Sequence, residues 1–146
     1  KPTGTLTLAN LELGGNLWLL ATGTGIAPYI SLLRDPELFN SFDNVNIVWT
    51  TRLIAEQTCF KEFIASTASN FYCSTTRESS ELEGRVQLLI EKKMILKDAS
   101  PKTDKIMICG SIDFNNEMKM YFNNKGWQEG STKIAGTFVQ ERAFVS

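Results

Sequence analysis

The residues best suited to chemistry in this chain are glycines, threonines, arginines and one cysteine. A short apolar run, Leu17-Trp18-Leu19-Leu20-Ala21, leads directly into Thr22-Gly23-Thr24-Gly25-Ile26-Ala27-Pro28. A glycine-rich turn between a strand and a helix lets the backbone approach a pyrophosphate closely. The free N–H groups and the dipole of the helix start then attract the anion. Pro28 stands where the Gly-x-Gly-x-x-Gly dinucleotide fingerprint has its third glycine, and proline fits a first helical turn without losing a hydrogen bond. A bare Gly-x-Gly also suits an ordinary structural turn, whereas the Thr-Gly-Thr-Gly-x-Ala-Pro string is far more specific. The chain has five arginines, and three of them, Arg52, Arg77 and Arg85, follow the ends of expected strands. Loops after the carboxyl ends of strands line the ligand crevice of an open α/β sheet. Arginine suits a phosphate monoester there, because its planar fork donates two hydrogen bonds and stays charged. Ser74, Thr75, Thr76 and Ser79 add hydroxyl donors beside Arg77. An NAD site would place an acid at the end of the second strand to bond the ribose 2′-hydroxyl. Here Thr50-Thr51-Arg52 stands there and the next acid is Glu56, which argues for a 2′-phosphate and hence NADP. For any one arginine, a solvated surface loop is the competing explanation.

Cys109 ends the apolar run Ile106-Met107-Ile108 and precedes Gly110-Ser111, so it is expected at the same sheet edge as the glycine loop. With no histidine in the chain to activate it, a nucleophilic role is disfavoured, and packing or placement of a cofactor ring is the better expectation. Cys59 and Cys73 carry no constellation and are expected in the core. The absence of histidine also removes imidazole as base, shuttle or metal ligand. No Cys-x-x-Cys pair occurs, so no metal is expected. An odd, sparse set of thiols fits a reduced, cytoplasmic protein.

The elements that must hold these residues are short and alternate along the chain. Strands are expected at residues 16–21, 45–51, 70–75, 105–110 and 137–142, each bounded by Gly, Asn, Asp, Ser or Thr. Helices are expected at 26–35, 58–69, 85–97 and 114–125. In the third, Val86, Leu89, Ile90, Lys93, Met94 and Lys97 share one face. In the fourth, Phe114, Met118, Tyr121 and Phe122 do so, and Lys125-Gly126 forms the C-terminal cap. Strands separated by single helices predict a parallel sheet covered on both faces. The expected fold is therefore α/β: a three-layer, doubly wound, five-stranded parallel sheet of Rossmann-like type. With 146 residues, 42% hydrophobic and 21% charged, the chain has a globular composition and room for one domain. Its net charge of -1 excludes the basic face that duplex nucleic acid requires, and no apolar run reaches membrane-span length. Residues 1–14 fall outside the alternation. Thr5-Leu6-Thr7-Leu8 has period two, and the start Lys1-Pro2-Thr3-Gly4 lacks an initiator Met, so this stretch is expected to be a severed strand of a preceding β domain.

At these positions the chain resembles the NADP-binding domain of the bacterial ferredoxin–NADP reductases. The matching strings are Lys1-Pro2-Thr3-Gly4-Thr5-Leu6, Leu20 to Pro28, Thr75-Thr76-Arg77-Glu78, Gly84-Arg85, Cys109-Gly110-Ser111 and Ala143-Phe144-Val145. They run nearly the full length in the family's order. The resemblance implies that Gly23, Thr24, Gly25 and Pro28 cradle the pyrophosphate. It assigns Arg52 to the nucleotide's phosphates and Arg77 and Arg85 chiefly to the 2′-phosphate, and it places Thr76, Gly110 and Ser111 among the cofactor-binding residues. Thr22 and Cys109 would flank the nicotinamide, and Ala143 and Phe144 would lie against the flavin. It further implies FAD held mainly by an N-terminal β-barrel, residues 1–14 as the end of that barrel and residues 15–146 as the NADP(H)-binding domain. The implied reaction exchanges a hydride between NADPH and FAD and passes single electrons to ferredoxin or flavodoxin. A monomer is expected, and the fragment alone should bind nucleotide without turnover. Two other readings stay open: an NADH-dependent oxygenase reductase component, and a non-catalytic nucleotide-binding α/β domain.

Overall fold

Alternation within the strands decides how the layers assemble. In a computed structural model, which describes residues 8–142, five strands form one parallel sheet in the order β3-β2-β1-β4-β5. They are β1 (Asn16–Thr22), β2 (Asn44–Thr51), β3 (Asn70–Thr75), β4 (Asp104–Gly110) and β5 (Phe138–Arg142). Leu17, Leu19 and Ala21 of β1, with Val45, Ile47 and Trp49 of β2 and Met107 and Cys109 of β4, point to one face. There they meet α1 (Ile26–Leu33), α2 (Pro36–Ser41) and α3 (Lys61–Thr67). Leu20, Val48, Ile106, Ile108 and Phe138 point to the other face and meet α4 (Val86–Glu91) and α5 (Ile112–Asn124). A central strand buried on both faces must be apolar at odd and even positions alike, which is why β1 and β4 read as continuous apolar runs.

The expected α/β sheet with five parallel strands is the observed one, and the strand bounds differ by no more than one residue. The helices differ more. The helix expected at 26–35 ends at Leu33, and a separate helix, α2, follows. Asp35 caps it by accepting from the Glu37 N–H at 3.0 Å, and Pro36 starts it. The helix expected at 58–69 begins only at Lys61. The helix expected at 85–97 stops at Glu91, so the shared face drawn through Lys93, Met94 and Lys97 does not form. Lys93 turns left-handed at φ 57°, its N–H bonds to the Ile90 carbonyl and that of Met94 to the Leu89 carbonyl, each at 3.0 Å. This double bond pattern is a Schellman stop. It buries Ile95 in place of Met94, which stays exposed.

α5 ends in the same motif, with Gly126 at φ 89°, its N–H on Asn123 and that of Trp127 on Phe122. The glycine cap expected there is the one found. Of the stretch at 1–14, residues 1–7 lie outside the described residues. The rest is stitched to the sheet domain: Glu12 N–H bonds to the Gly136 carbonyl at 2.8 Å, and Leu11 is buried in the core.

Candidate functional site

The order β3-β2-β1-β4-β5 reverses direction between β1 and β4, and that reversal opens a crevice at the carboxyl ends of the strands. The glycine turn fills its floor. Gly23 adopts φ 51°, a left-handed conformation that favours glycine, and Gly23–Gly25 form a tight turn that runs into α1. A side chain at Gly25 would overlap the Cys109 carbonyl, and one at Gly110 would overlap the Thr22 hydroxyl and Phe114. Both glycines are therefore required by close approach of the β1 and β4 ends. The indole Nε1–H of buried Trp49 donates to the Gly23 carbonyl at 2.9 Å and pins the turn from β2. Thr22 Oγ1 accepts from the Ser111 N–H at 3.3 Å, and Ser111 caps α5 by accepting from Phe114 N–H at 3.2 Å. The N-termini of α1 and α5 thus open side by side at the crevice.

A cleft of about 780 Å³ lies over this edge. Thr22, Gly23 and Thr24 line it at the glycine turn, and Ser111 with Phe114 and Glu117 of α5 line the β4 side. Trp49 to Arg52, Glu56, Cys59 and Phe60 close the β2 side, with Thr76 and Arg85 at the far end. Of the three singled-out arginines, Arg52 and Arg85 line the cleft. Arg85 lies ten residues beyond β3, yet the loop folds back: Gly84 N–H bonds to the Thr75 carbonyl and Ser74 Oγ donates to the Gly84 carbonyl, each at 2.9 Å. Ser74 is itself buried against the Thr50 hydroxyl at 2.7 Å. Arg77 is exposed and does not line the cleft. Its N–H extends the β2–β3 ladder to the Arg52 carbonyl at 3.0 Å, one step beyond Thr76 on Thr51.

Gly25, Cys109 and Gly110 sit beneath the cleft as packed floor, and Pro28 lies further along α1. Ala143 and Phe144 lie outside the described residues. Cys109 is fully buried, and burial first, then the nearby Glu141 carboxylate opposite it on β5, pushes its thiol up to about 12. A thiol held neutral at ordinary pH is a poor nucleophile. Cys59 corrects the expectation of a core residue, because it is exposed on the cleft wall. Cys73 is half-buried against the core.

Sequence reasoning gave no site role to Trp49, Glu56, Phe60 or Glu117, which line the cleft. Trp49 and Phe60 supply apolar walls, and Glu56 and Glu117 bring carboxylates to the arginines. For Glu117 a signal existed: three residues after Phe114 on a helix, it shares the side that faces the crevice. No group of three or more potential metal ligands occurs among the described residues. None of the described helices is long and apolar enough to cross a membrane.

Sheet order, glycine turn and cleft position together define a doubly wound nucleotide-binding module. Residues 19–120 match the family model described as the oxidoreductase NAD-binding domain, and the chain belongs to that family. It is 34% identical to ferredoxin–NADP reductase A of Sorangium cellulosum and 34% identical to a flavodoxin/ferredoxin–NADP reductase of Rhodobacter capsulatus, in each case over 99% of the chain. It covers 58% and 60% of those proteins, so it spans little more than half the length of the curated relatives it matches. A ferredoxin NADP+ reductase from Neisseria gonorrhoeae, solved with bound FAD and NADP, superposes with a TM-score of 0.87 at 27% identity. The match takes in 97% of this chain and 61% of that one.

Proposed function

We propose that this chain is the NADP(H)-binding part of a flavoprotein ferredoxin or flavodoxin–NADP reductase. The observation that carries the reading is the cleft at the β1–β4 switch, with a glycine turn at its floor and two arginines on its walls. The end of β2 supports a 2′-phosphate over a bare ribose hydroxyl. Arg52 follows Thr51 there, and Glu56 is already engaged, accepting from the Leu53 N–H at 2.9 Å with Arg52 at 3.7 Å.

In this reading the N–H groups of the Gly23–Gly25 turn and of the α1 start receive the pyrophosphate, with Ser111 and the start of α5 beside them. Arg85 receives the 2′-phosphate through charge-assisted hydrogen bonds, with Thr76 and Arg77 at the rim. Thr22, linked to the Ser111 N–H, and Cys109 beneath it shape the end of the cleft that holds the nicotinamide. Ala143 and Phe144, outside the described residues, are assigned to the flavin by the family resemblance alone. Residues 1–14 lead in from the flavin domain. FAD, when bound, supplies the step between two-electron hydride exchange and single-electron transfer. No described residue is required as general acid or base. Ferredoxin or flavodoxin is the electron partner, and the cytoplasm is the compartment.

Calorimetric titration of the chain with NADP+, 2′,5′-ADP and NAD+ tests the reading. NADP+ and 2′,5′-ADP should bind and NAD+ should not. Replacing Arg85 by alanine should weaken the first two by roughly ten- to a hundredfold, the loss of a charge-assisted pair of ~1.5–3 kcal/mol. Equal or better binding of NAD+ would move the assignment to an NADH-dependent oxygenase reductase component.

A further inference from the structure

Two guanidinium groups reach the cleft, and each already holds a carboxylate. Arg52 Nη2 lies 3.7 Å from Glu56 Oε1, and Arg85 Nη2 donates to Glu117 Oε1 at 2.6 Å. The two pairs are built differently. Glu56 follows Arg52 by one turn, and its second oxygen accepts from the Leu53 N–H, so that carboxylate helps to build the turn. Glu117 comes from the second turn of α5, 32 positions away from Arg85, and reaches across from the opposite side of the cleft.

We propose that Glu117 is a specificity-determining residue that acts as an internal stand-in for a phosphate on Arg85. The proposal deepens the reading of the cleft given above and rests on Arg85 being a phosphate ligand. In the ligand-free protein one oxygen of the Glu117 carboxylate accepts from Nη2 of the Arg85 guanidinium. A phosphate monoester that takes the same donors brings a second anion to within a few ångströms of it. The Arg85 and Glu117 side chains are 63% and 36% exposed, so this repulsion is modest and depends on salt. Glu117 must swing away, or the phosphate binds against it. Either way the carboxylate stabilises the empty state and not the phosphate-bound one. A nucleotide without the phosphate monoester leaves the pair intact and is indifferent to it. Glu117 therefore sets how strongly the site prefers a phosphorylated ribose.

The backbone that carries Arg85 is fixed without Glu117. Arg85 is the N-cap residue of α4 in an extended conformation, and the Ser74–Gly84 and Gly84–Thr75 hydrogen bonds fix the loop just before it. If Glu117 only positioned the guanidinium, Glu117→Gln would leave phosphate binding unchanged or weaker; if it acts through its charge, the exchange makes binding tighter.

The test is a titration of the chain with 2′,5′-ADP, NADP+ and NAD+ at low ionic strength, with Glu117→Gln, Arg85→Ala and the double variant. Glutamine keeps the shape and helix propensity of Glu117 while removing its charge. The Glu117→Gln chain should bind 2′,5′-ADP and NADP+ about two- to fivefold tighter, the size of one exposed ion pair. NAD+ should still show no binding to the Glu117→Gln chain, and high salt should shrink the gain for the two phosphorylated ligands. In the Arg85→Ala background the exchange at Glu117 should have no effect on 2′,5′-ADP. Unchanged or weaker 2′,5′-ADP binding by Glu117→Gln overturns the inference while leaving the phosphate reading of Arg85 standing. Full 2′,5′-ADP affinity in Arg85→Ala alone overturns that reading, whatever Glu117→Gln does. An unmodified chain that binds none of the three ligands overturns both.

Discussion

Three cysteines that look alike as letters sit in three different environments. Burial raises the Cys73 thiol to about 11, and burial with Glu141 raises Cys109 to about 12, while Cys59 is exposed on the cleft wall. A raised thiol is a statement about stability. Folded, Cys73 and Cys109 stay protonated; unfolded, each regains a value near 9 and gives up a proton above it. The stability tied to these groups is fully present below pH 9 and falls as pH rises toward 11 and 12, by up to ~1.4 kcal/mol per pH unit for each. Urea unfolding at pH 8, 9 and 10 should show this slope, and the pair of substitutions Cys73→Ala and Cys109→Ala should flatten it. At neutral pH a maleimide should label Cys59 alone in the native chain. The glycine turn and the arginines that follow the strand ends could be seen in the linear chain because residue type and spacing declare them. Glu56, Trp49 and Phe60 could not, since nothing in their spacing reveals which face of which loop closes over the crevice, and for Glu117 the helical spacing gave its face but not its partner, Arg85.

At the scale of elements, strands were legible almost to the residue and helices were not. A buried parallel strand is an uninterrupted apolar run between polar stops, as in Ile106-Met107-Ile108, and little competes with it. A helix ends where caps and packing agree, and packing is not local. The apolar spacing through Val86, Leu89, Ile90 and Met94 continues past Glu91, yet the chain turns back there to bury Ile95. It does so through a left-handed lysine, whereas α5 makes the same stop with Gly126. This contrast predicts opposite outcomes for opposite exchanges. Lys93→Gly should stabilise the protein by about 0.5–1 kcal/mol, and Gly126→Ala should destabilise it by about 1 kcal/mol. Thermal melts should move by a few degrees up and down respectively, ~2–4 °C per kcal/mol in a domain of this size.

At the scale of the molecule, β1 is the strand on which everything leans. It is hydrogen-bonded to β2 and β4, and its end supplies Thr22 and the glycine turn. Leu19, fully buried at its centre, packs in the core beneath α1 and α3. Leu19→Ala should lower stability by ~2–5 kcal/mol, seen as a lower urea midpoint with an unchanged slope. Such a loss is a large share of the ~5–15 kcal/mol that holds a domain together, so nucleotide binding at elevated temperature should fail with it. Residue types and local spacing by themselves determined the class of fold, the strands, the phosphate-type turn and the arginine-rich edge, because each is written within a few consecutive positions. Tertiary structure decided which of those arginines face the cleft, and which carboxylates meet them. Those outcomes depend on the strand order that brings β1 beside β4 and on the packing of α4 and α5 on one shared face. Both join positions tens of residues apart, where no local pattern reaches.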